Sequence, residues 1–213
     1  MIGNDIVDLN QARLESNWRR RGYIDKIFTP YEQQLIEEAN NPDQMVWLLW
    51  SMKESAYKLA VRTTKERLFA PTKIACSLHE STAETVDGAV FYGETYQTRS
   101  IITTNYIATI AFPVNTVPTV TQVIVPFDTA DSRAHQRLIR QQIRQHVSVA
   151  VNVSEQHICI ENDSLGIPLV TAGNVALSLS ISHHGQYGAF AIVPSKLQPE
   201  ISDTLRVFSE YAV

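Results

Sequence analysis

Two carboxylates and a lysine stand in this chain where they could act together on a phosphate. Glu54 and Lys58 lie four residues apart in a segment of helical periodicity, so they are neighbours on one flank of a helix. Asp5 sits inside the apolar run from Ile2 to Leu9, which reads as a short strand. A carboxylate there is costly unless it is paired or bound to a cation, and a metal-assisted reaction on a phosphate would use it. Plainer readings exist for each feature alone. A Glu–Lys pair at this spacing is commonly a solvated surface pair worth roughly a few tenths of a kcal/mol, and an Asp near a strand end is commonly a turn acceptor. A third element tips the balance. Leu177, Leu179 and Ile181 alternate with Ser178, Ser180 and Ser182, so the apolar set faces a core and the serines face the other way. Gly185 then permits a reversal into Tyr187–Val193, which brings Ser182, His183 and His184 to a hairpin turn.

The helix that carries Glu54 and Lys58 is set by its apolar stripe. Met45, Leu48, Leu49, Met52, Ala56 and Leu59 recur at steps of three and four between Gln44 and Val61. A faint internal repeat surrounds it. In the first half the helix is followed by strands near Lys73–Leu78 and Gly88–Tyr92, then by a hairpin of Thr98–Thr103 and Tyr106–Phe112. In the second half Ser132–Val147 reads as a helix with Ile139, Ile143 and Val147 on one face. Strands near His157–Glu161 and Pro168–Val170 precede the Ser-His hairpin, and Tyr106-Ile107-Ala108 and Tyr187-Gly188-Ala189 fall at equivalent points. The pattern predicts an α+β fold: a pseudo-dimer of two lobes, each a small, mostly antiparallel sheet packed on a long helix. The active site is expected at the lobe interface, a preferred place for ligand sites. The expected lobes are residues 1–112 and 126–213, joined by a connector over 113–125 that begins in the turn-rich Pro113–Pro118. Val120–Val125 is also readable as a strand of the second half.

Composition sets outer limits. The chain has 213 residues, 44% hydrophobic, which suffices for a packed core. A net charge of −4 argues against a nucleic-acid partner, and no apolar run is long enough for a membrane span. The start lacks a basic signal-peptide region, so a cytoplasmic location is expected. Cys76 and Cys159 sit in apolar alternating runs and are expected as buried thiols. Trp47 and Trp50 read as core aromatics, and His135, His146 and His157 as surface or structural residues without metal spacing.

Gly3-x-Asp5-Ile6-Val7, Trp50-Ser51-x-Lys53-Glu54-Ser55-x-x-Lys58 and Ser180-Ile181-Ser182-His183 together resemble the signature motifs of the 4′-phosphopantetheinyl transferases. Lys26–Glu32 resembles the stretch between the first two. The resemblance covers residues 2–62 well and 132–193 more loosely, and the Trp-Ser block is its specific part. It implies transfer of 4′-phosphopantetheine from coenzyme A to a serine of an apo carrier protein, with release of 3′,5′-ADP and a requirement for Mg²⁺. It further implies Asp5 and Glu54 as Mg²⁺ ligands, Glu54 and Lys58 as catalytic groups, and His183, Ser182 and Lys53 as coenzyme A contacts. Either Glu54 or a metal-bound water would take the serine proton. The acyl or peptidyl carrier is expected to be acidic, and the family's first helix docks it through arginines. That nominates Arg13, Arg19 and Arg20.

Lobe order and several departures qualify the likeness. Surfactin-type transferases are two-lobed with the Ser-His lobe first; here that lobe comes second, and the order of motifs matches that of the small holo-acyl-carrier-protein synthases, which are single lobes with sites built between subunits. The gap from Glu54 to His183 is much longer than in those single-lobe enzymes. The chain therefore reads as a two-lobe transferase in permuted order, monomeric, with its site completed in cis. The second strand acid of the surfactin type is Val7 here, and Asp8 points away from the Asp5 face. The family's Gly-Lys-Pro appears as Gly166-Ile167-Pro168, so Arg133, Arg137 or Arg140 would supply the missing phosphate contact. A glycine-rich turn is replaced by Thr63–Arg67. The alternative is a catalytically silent relative that binds coenzyme A or a carrier as a partner module; retention of Asp5, Glu54 and Lys58 favours the enzyme.

Overall fold

The computed structural model, which describes residues 1–114, 116 and 120–194, builds both halves on one plan: a strand, a long helix and a four-stranded antiparallel meander. In the first half these are β1 (Gly3–Asp8), α4 (Pro42–Thr64) and β2 (Ala75–Ser81), β3 (Thr85–Tyr92), β4 (Glu94–Ile102) and β5 (Tyr106–Pro113). Three short helices, α1 (Leu9–Glu15), α2 (Tyr23–Ile27) and α3 (Pro30–Glu38), lie between β1 and α4. The second half has β6 (Thr121–Pro126), α5 (Ser132–Val151), β7 (Ile158–Asn162), β8 (Pro168–Ala172), β9 (Val175–His184) and β10 (Tyr187–Pro194). The two sheets run β1-β5-β4-β3-β2 and β6-β10-β9-β8-β7, so each first strand closes on the last strand of its own meander. The expected α+β pair of lobes is what forms, and the faint sequence repeat is a repeat of topology.

Helix α4 starts where its chemistry allows. Asn41 accepts at its Oδ1 from the Gln44 amide at 3.2 Å, Pro42 needs no amide partner in the first turn, and Lys65 ends the helix at φ 62°. Leu48, Leu49, Met52, Ala56 and Leu59 are all buried against the first sheet. Full burial contributes about 1.5–3 kcal/mol for each of the larger side chains. Helix α5 does the same for the second sheet through Ile139, Ile143 and Val147.

Strand β1 lies between two layers, and every one of its residues is buried. Its odd positions face α4: a Cβ at Gly3 would overlap the Ser55 carbonyl oxygen, and Val7 joins the α4 core. Its even positions face the second lobe, where Ile6 packs with Ala108, Ala189 and Tyr187. Tyr106 and Tyr187, the equivalent residues of the two repeats, meet there at 5.0 Å between ring centroids.

Two expectations need correction. The span 113–125 is not all connector, because Thr121–Pro126 is strand β6 of the second sheet. Of the rest of that span, residues 115 and 117–119 lie outside the described residues, as do residues 195–213 of the expected second lobe. Cys76 is buried but Cys159 is exposed. β7 is an edge strand, and the alternation that buries Ile158 and Ile160 turns the residue between them outward.

Candidate active site

Glycine at position 3 lets α4 approach β1 closely, and this brings three candidate site side chains together. Two residues on, Asp5 projects from the same face of β1 toward α4. Lys58 Nζ donates to Asp5 Oδ1 at 3.0 Å and to the Asn4 carbonyl oxygen at 2.9 Å. The pair is not sealed, since 29% of the Lys58 side chain and 12% of Asp5 remain exposed. Glu54, one turn earlier on α4, shares their field. Burial, then the nearby Asp5 charge, pushes its carboxyl from 4.5 up to about 7, against the opposing pull of Lys58. The site thus holds a fixed ammonium beside a carboxyl that titrates near neutrality.

The second lobe contributes the Ser-His turn. Ser180 and Ser182 point at β1, where Ser180 Oγ accepts from the Asn4 amide at 3.0 Å and Ser182 Oγ from Asn4 Nδ2 at 2.9 Å. His184 Nδ1 accepts from the Asp8 amide at 3.0 Å. Alternating side chains of β9 therefore satisfy the edge of β1 that β5 leaves unpaired. His183 falls on the opposite face and is exposed. Burial of part of its ring, then the charges of His135, Lys58 and His184, hold it below the ordinary histidine value. It is therefore largely neutral at physiological pH and lies within electrostatic range of Lys58. Arg62, one further turn along the Glu54–Lys58 face, donates to the Leu179 carbonyl of β9 and closes the seam.

A model of the 4′-phosphopantetheinyl transferase superfamily matches residues 1–111, slightly over half the chain. The chain belongs to this superfamily. Its class of activity is phosphopantetheinyl transfer, and the matched part contains Asp5, Glu54 and Lys58 but not His183. Among solved structures, Helicobacter pylori holo-[acyl-carrier-protein] synthase in complex with coenzyme A is similar at 15% identity, covering 92% of this chain and 100% of that one with a TM-score of 0.25. That likeness is too distant to bear on the reading of the site. No curated protein matches the chain significantly.

Lys53 of the transferase is not where a coenzyme contact would need it. Its side chain is fully buried, and Nζ pairs with Glu32 Oε2 at 2.8 Å while donating to the Pro71 carbonyl at 2.9 Å and to that of Ile74. Three partners exhaust an ammonium's three protons. Glu32 is equally committed, accepting from the Thr29 amide at 2.7 Å in a capping box and from the Cys76 amide at 2.7 Å. The pair locks α3 and β2 onto α4, beside the helix turn that carries Glu54. The capping box Thr29-x-x-Glu32 is a local arrangement, but the second task of Glu32 is a long-range contact that no local pattern encodes.

The arginines also separate. Arg133 is exposed on α5, and the exposed Arg137 has Asp131 Oδ2 at 3.6 Å. His135 is buried and stacked on Phe127, with ring centroids 3.7 Å apart. Arg13 and Arg19 line a groove of about 400 Å³ with Leu14, Trp18 and Trp47, whose lining includes neither Asp5 nor Glu54. Arg19 is held there by Asp43 through two hydrogen bonds of 2.8 and 2.9 Å, and Arg20 stays exposed with its guanidinium 5.3 Å from the Tyr23 ring centre.

Proposed function

We propose that this transferase moves 4′-phosphopantetheine from coenzyme A to a serine of an acidic apo carrier protein and releases 3′,5′-ADP. The observation that carries the reading is the convergence of Asp5, Glu54 and Lys58 beside the lobe seam, with Lys58 Nζ held 3.0 Å from Asp5. The serine Oγ–phosphorus bond forms at the β-phosphorus as the bond from that phosphorus to the bridging oxygen breaks. The leaving 3′,5′-ADP takes the electron pair. Glu54, titrating near neutrality, is the group suited to accept the serine proton. Lys58, fixed by Asp5 and the Asn4 carbonyl, presents an ammonium for the negative charge that develops on the leaving phosphate.

The donor set fits Mg²⁺. Among the described residues no three His, Cys, Asp or Glu side chains converge as a protein-only metal cage. Asp5 and Glu54 would hold the ion, whose remaining ligands are ordinarily phosphate oxygens and water; when bound it neutralises charge on the pyrophosphate. Burial and then the repulsion from Asp5 raise the Glu54 carboxyl, and a cation held by the two acids would relieve the repulsion.

His183, exposed at the turn of the second lobe, would donate a hydrogen bond to coenzyme A phosphate. Arg13 and Arg20, more available than the paired Arg19, are the better carrier contacts beside the α1 groove. We assign the whole site to one chain, hence a monomer. Among the described residues no helix is long and apolar enough to cross a membrane. The test is to incubate the protein with coenzyme A, Mg²⁺ and candidate apo carriers and to weigh the carriers. A phosphopantetheine adduct on the carrier serine, lost with Asp5→Ala, is the expected result. Coenzyme A binding without any adduct on acyl or peptidyl carriers would favour the partner-module alternative.

A further inference from the structure

Asp8 starts α1, and its second oxygen has a separate task. Oδ1 caps the helix by accepting from the Asn10 and Gln11 amides at 2.9 and 3.0 Å. Oδ2 accepts from the amide of Gln186 at 2.9 Å, across the seam in the turn between β9 and β10. The Asp8 amide donates to His184 Nδ1, and His184 Nε2 lies 3.5 Å from Glu15 Oε2 at the far end of α1. The turn is seated so closely that a Cβ at Gly185, which has φ +54°, would overlap the Asp8 carboxylate and the Gln11 side chain. One buried carboxylate thus joins the start of α1 to the turn that presents His183.

We propose that Asp8 is a positioning residue for coenzyme A binding, holding the Ser-His turn so that His183 meets the phosphate. This rests on the transferase reading given above. The same side chain orients α1, so it also couples the coenzyme turn to the helix assigned to the carrier.

Its two oxygens can be separated by substitution. Asn caps helices as well as Asp does. In Asp8→Asn the amide oxygen serves the side with two amide donors, the cap, and the NH₂ group then faces the Gln186 amide. Asp8→Asn should therefore raise Kd and KM for coenzyme A about ten-fold through loss of one charge-assisted hydrogen bond. It should leave KM for the carrier unchanged and speed hydrogen exchange at the Gln186 amide. Asp8→Ala loses cap and latch together and should raise KM for both substrates. Gly185→Ala should reproduce the coenzyme A defect of Asp8→Asn. The double variant should be no worse than the weaker-binding single one, because both act through one contact. Wild-type coenzyme A affinity in Asp8→Asn, or unaltered exchange at Gln186, would overturn the positioning role alone. Wild-type protein that binds no coenzyme A would overturn the proposed function and this inference with it.

Discussion

Glu54→Gln should stabilise the metal-free protein at pH 8 and change it little at pH 5. Burial and the Asp5 charge raise the Glu54 carboxyl from 4.5 to about 7, so the folded chain binds this proton more tightly than the unfolded chain does. Below about 4.5 both states are protonated and nothing is lost. Between there and about 7 the unfolded chain releases the proton first, so stability falls as pH rises; above 7 both states are ionised and the loss is complete. At about 1.4 kcal/mol per pH unit, the loss at pH 8 is about 3 kcal/mol, with under about 1 kcal/mol of it present at pH 5. Glutamine keeps the size and never ionises, so it should recover that amount. For a chain of this length this is on the order of 6–12 °C in Tm. Thermal unfolding of both proteins with EDTA at pH 5, 6, 7 and 8 measures it, and the difference between the two curves cancels every other titrating group. Added Mg²⁺ should raise the wild-type Tm at pH 8 and do much less for Glu54→Gln. Parallel Tm curves from pH 5 to pH 8 would refute the claim that Glu54 is held protonated by its site.

Lys53→Met leaves Glu32 buried and unpaired and should cost about 3–5 kcal/mol in denaturant unfolding. Adding Glu32→Gln should return part of that loss, which would not happen if Lys53 acted on coenzyme A. His183→Ala should weaken coenzyme A binding ten- to hundred-fold by titration, about the worth of one charge-assisted hydrogen bond, while carrier binding is unchanged. Because the site is assigned to one chain, Glu54→Gln and His183→Ala proteins mixed together should regain no activity, and light scattering should give a monomer. Restored activity in the mixture would show a site shared between chains.

Much of the scaffold could be read from local pattern because its causes are local. The stripe on α4, the alternation in β9 and the glycine at the β9–β10 turn each satisfy a periodic or steric rule within a few residues. The helix expected from Gln44 and the strand expected near Val120 both appear within a few residues of where the pattern put them. The errors arise where local reading stops. Cys159 lies in an apolar run, but only its strand's inner face is covered. The resemblance nominated Lys53 as a coenzyme A contact and Arg19 as a carrier contact. Their partners, Glu32 and Asp43, are 21 and 24 residues away in sequence, and only folding brings them to 2.8 Å. The arginines of α5 were nominated by charge alone, and their helix turns two of them to solvent.

Strand β1 brings motifs from opposite ends of the chain together. Its period of two sends Gly3 and Asp5 toward α4, and Asn4, Ile6 and Asp8 toward the second lobe. The odd residues assemble the charged centre: glycine admits the helix and aspartate meets its lysine. The even residues assemble the seam: Asn4 holds Ser182, Asp8 holds the turn at Gln186, and Ile6 fills the space between the sheets. A slip of one residue in the pairing of β1 with β5 would exchange the two sets, putting Asp5 against Ala189 and Asn4 against α4. The register Gly3 to Ala111 through Asp8 to Tyr106 therefore fixes the charged centre and the lobe contact at the same time. A short strand can carry both because it is covered on both faces, and that is why a carboxylate in an apolar run was the informative residue from the start.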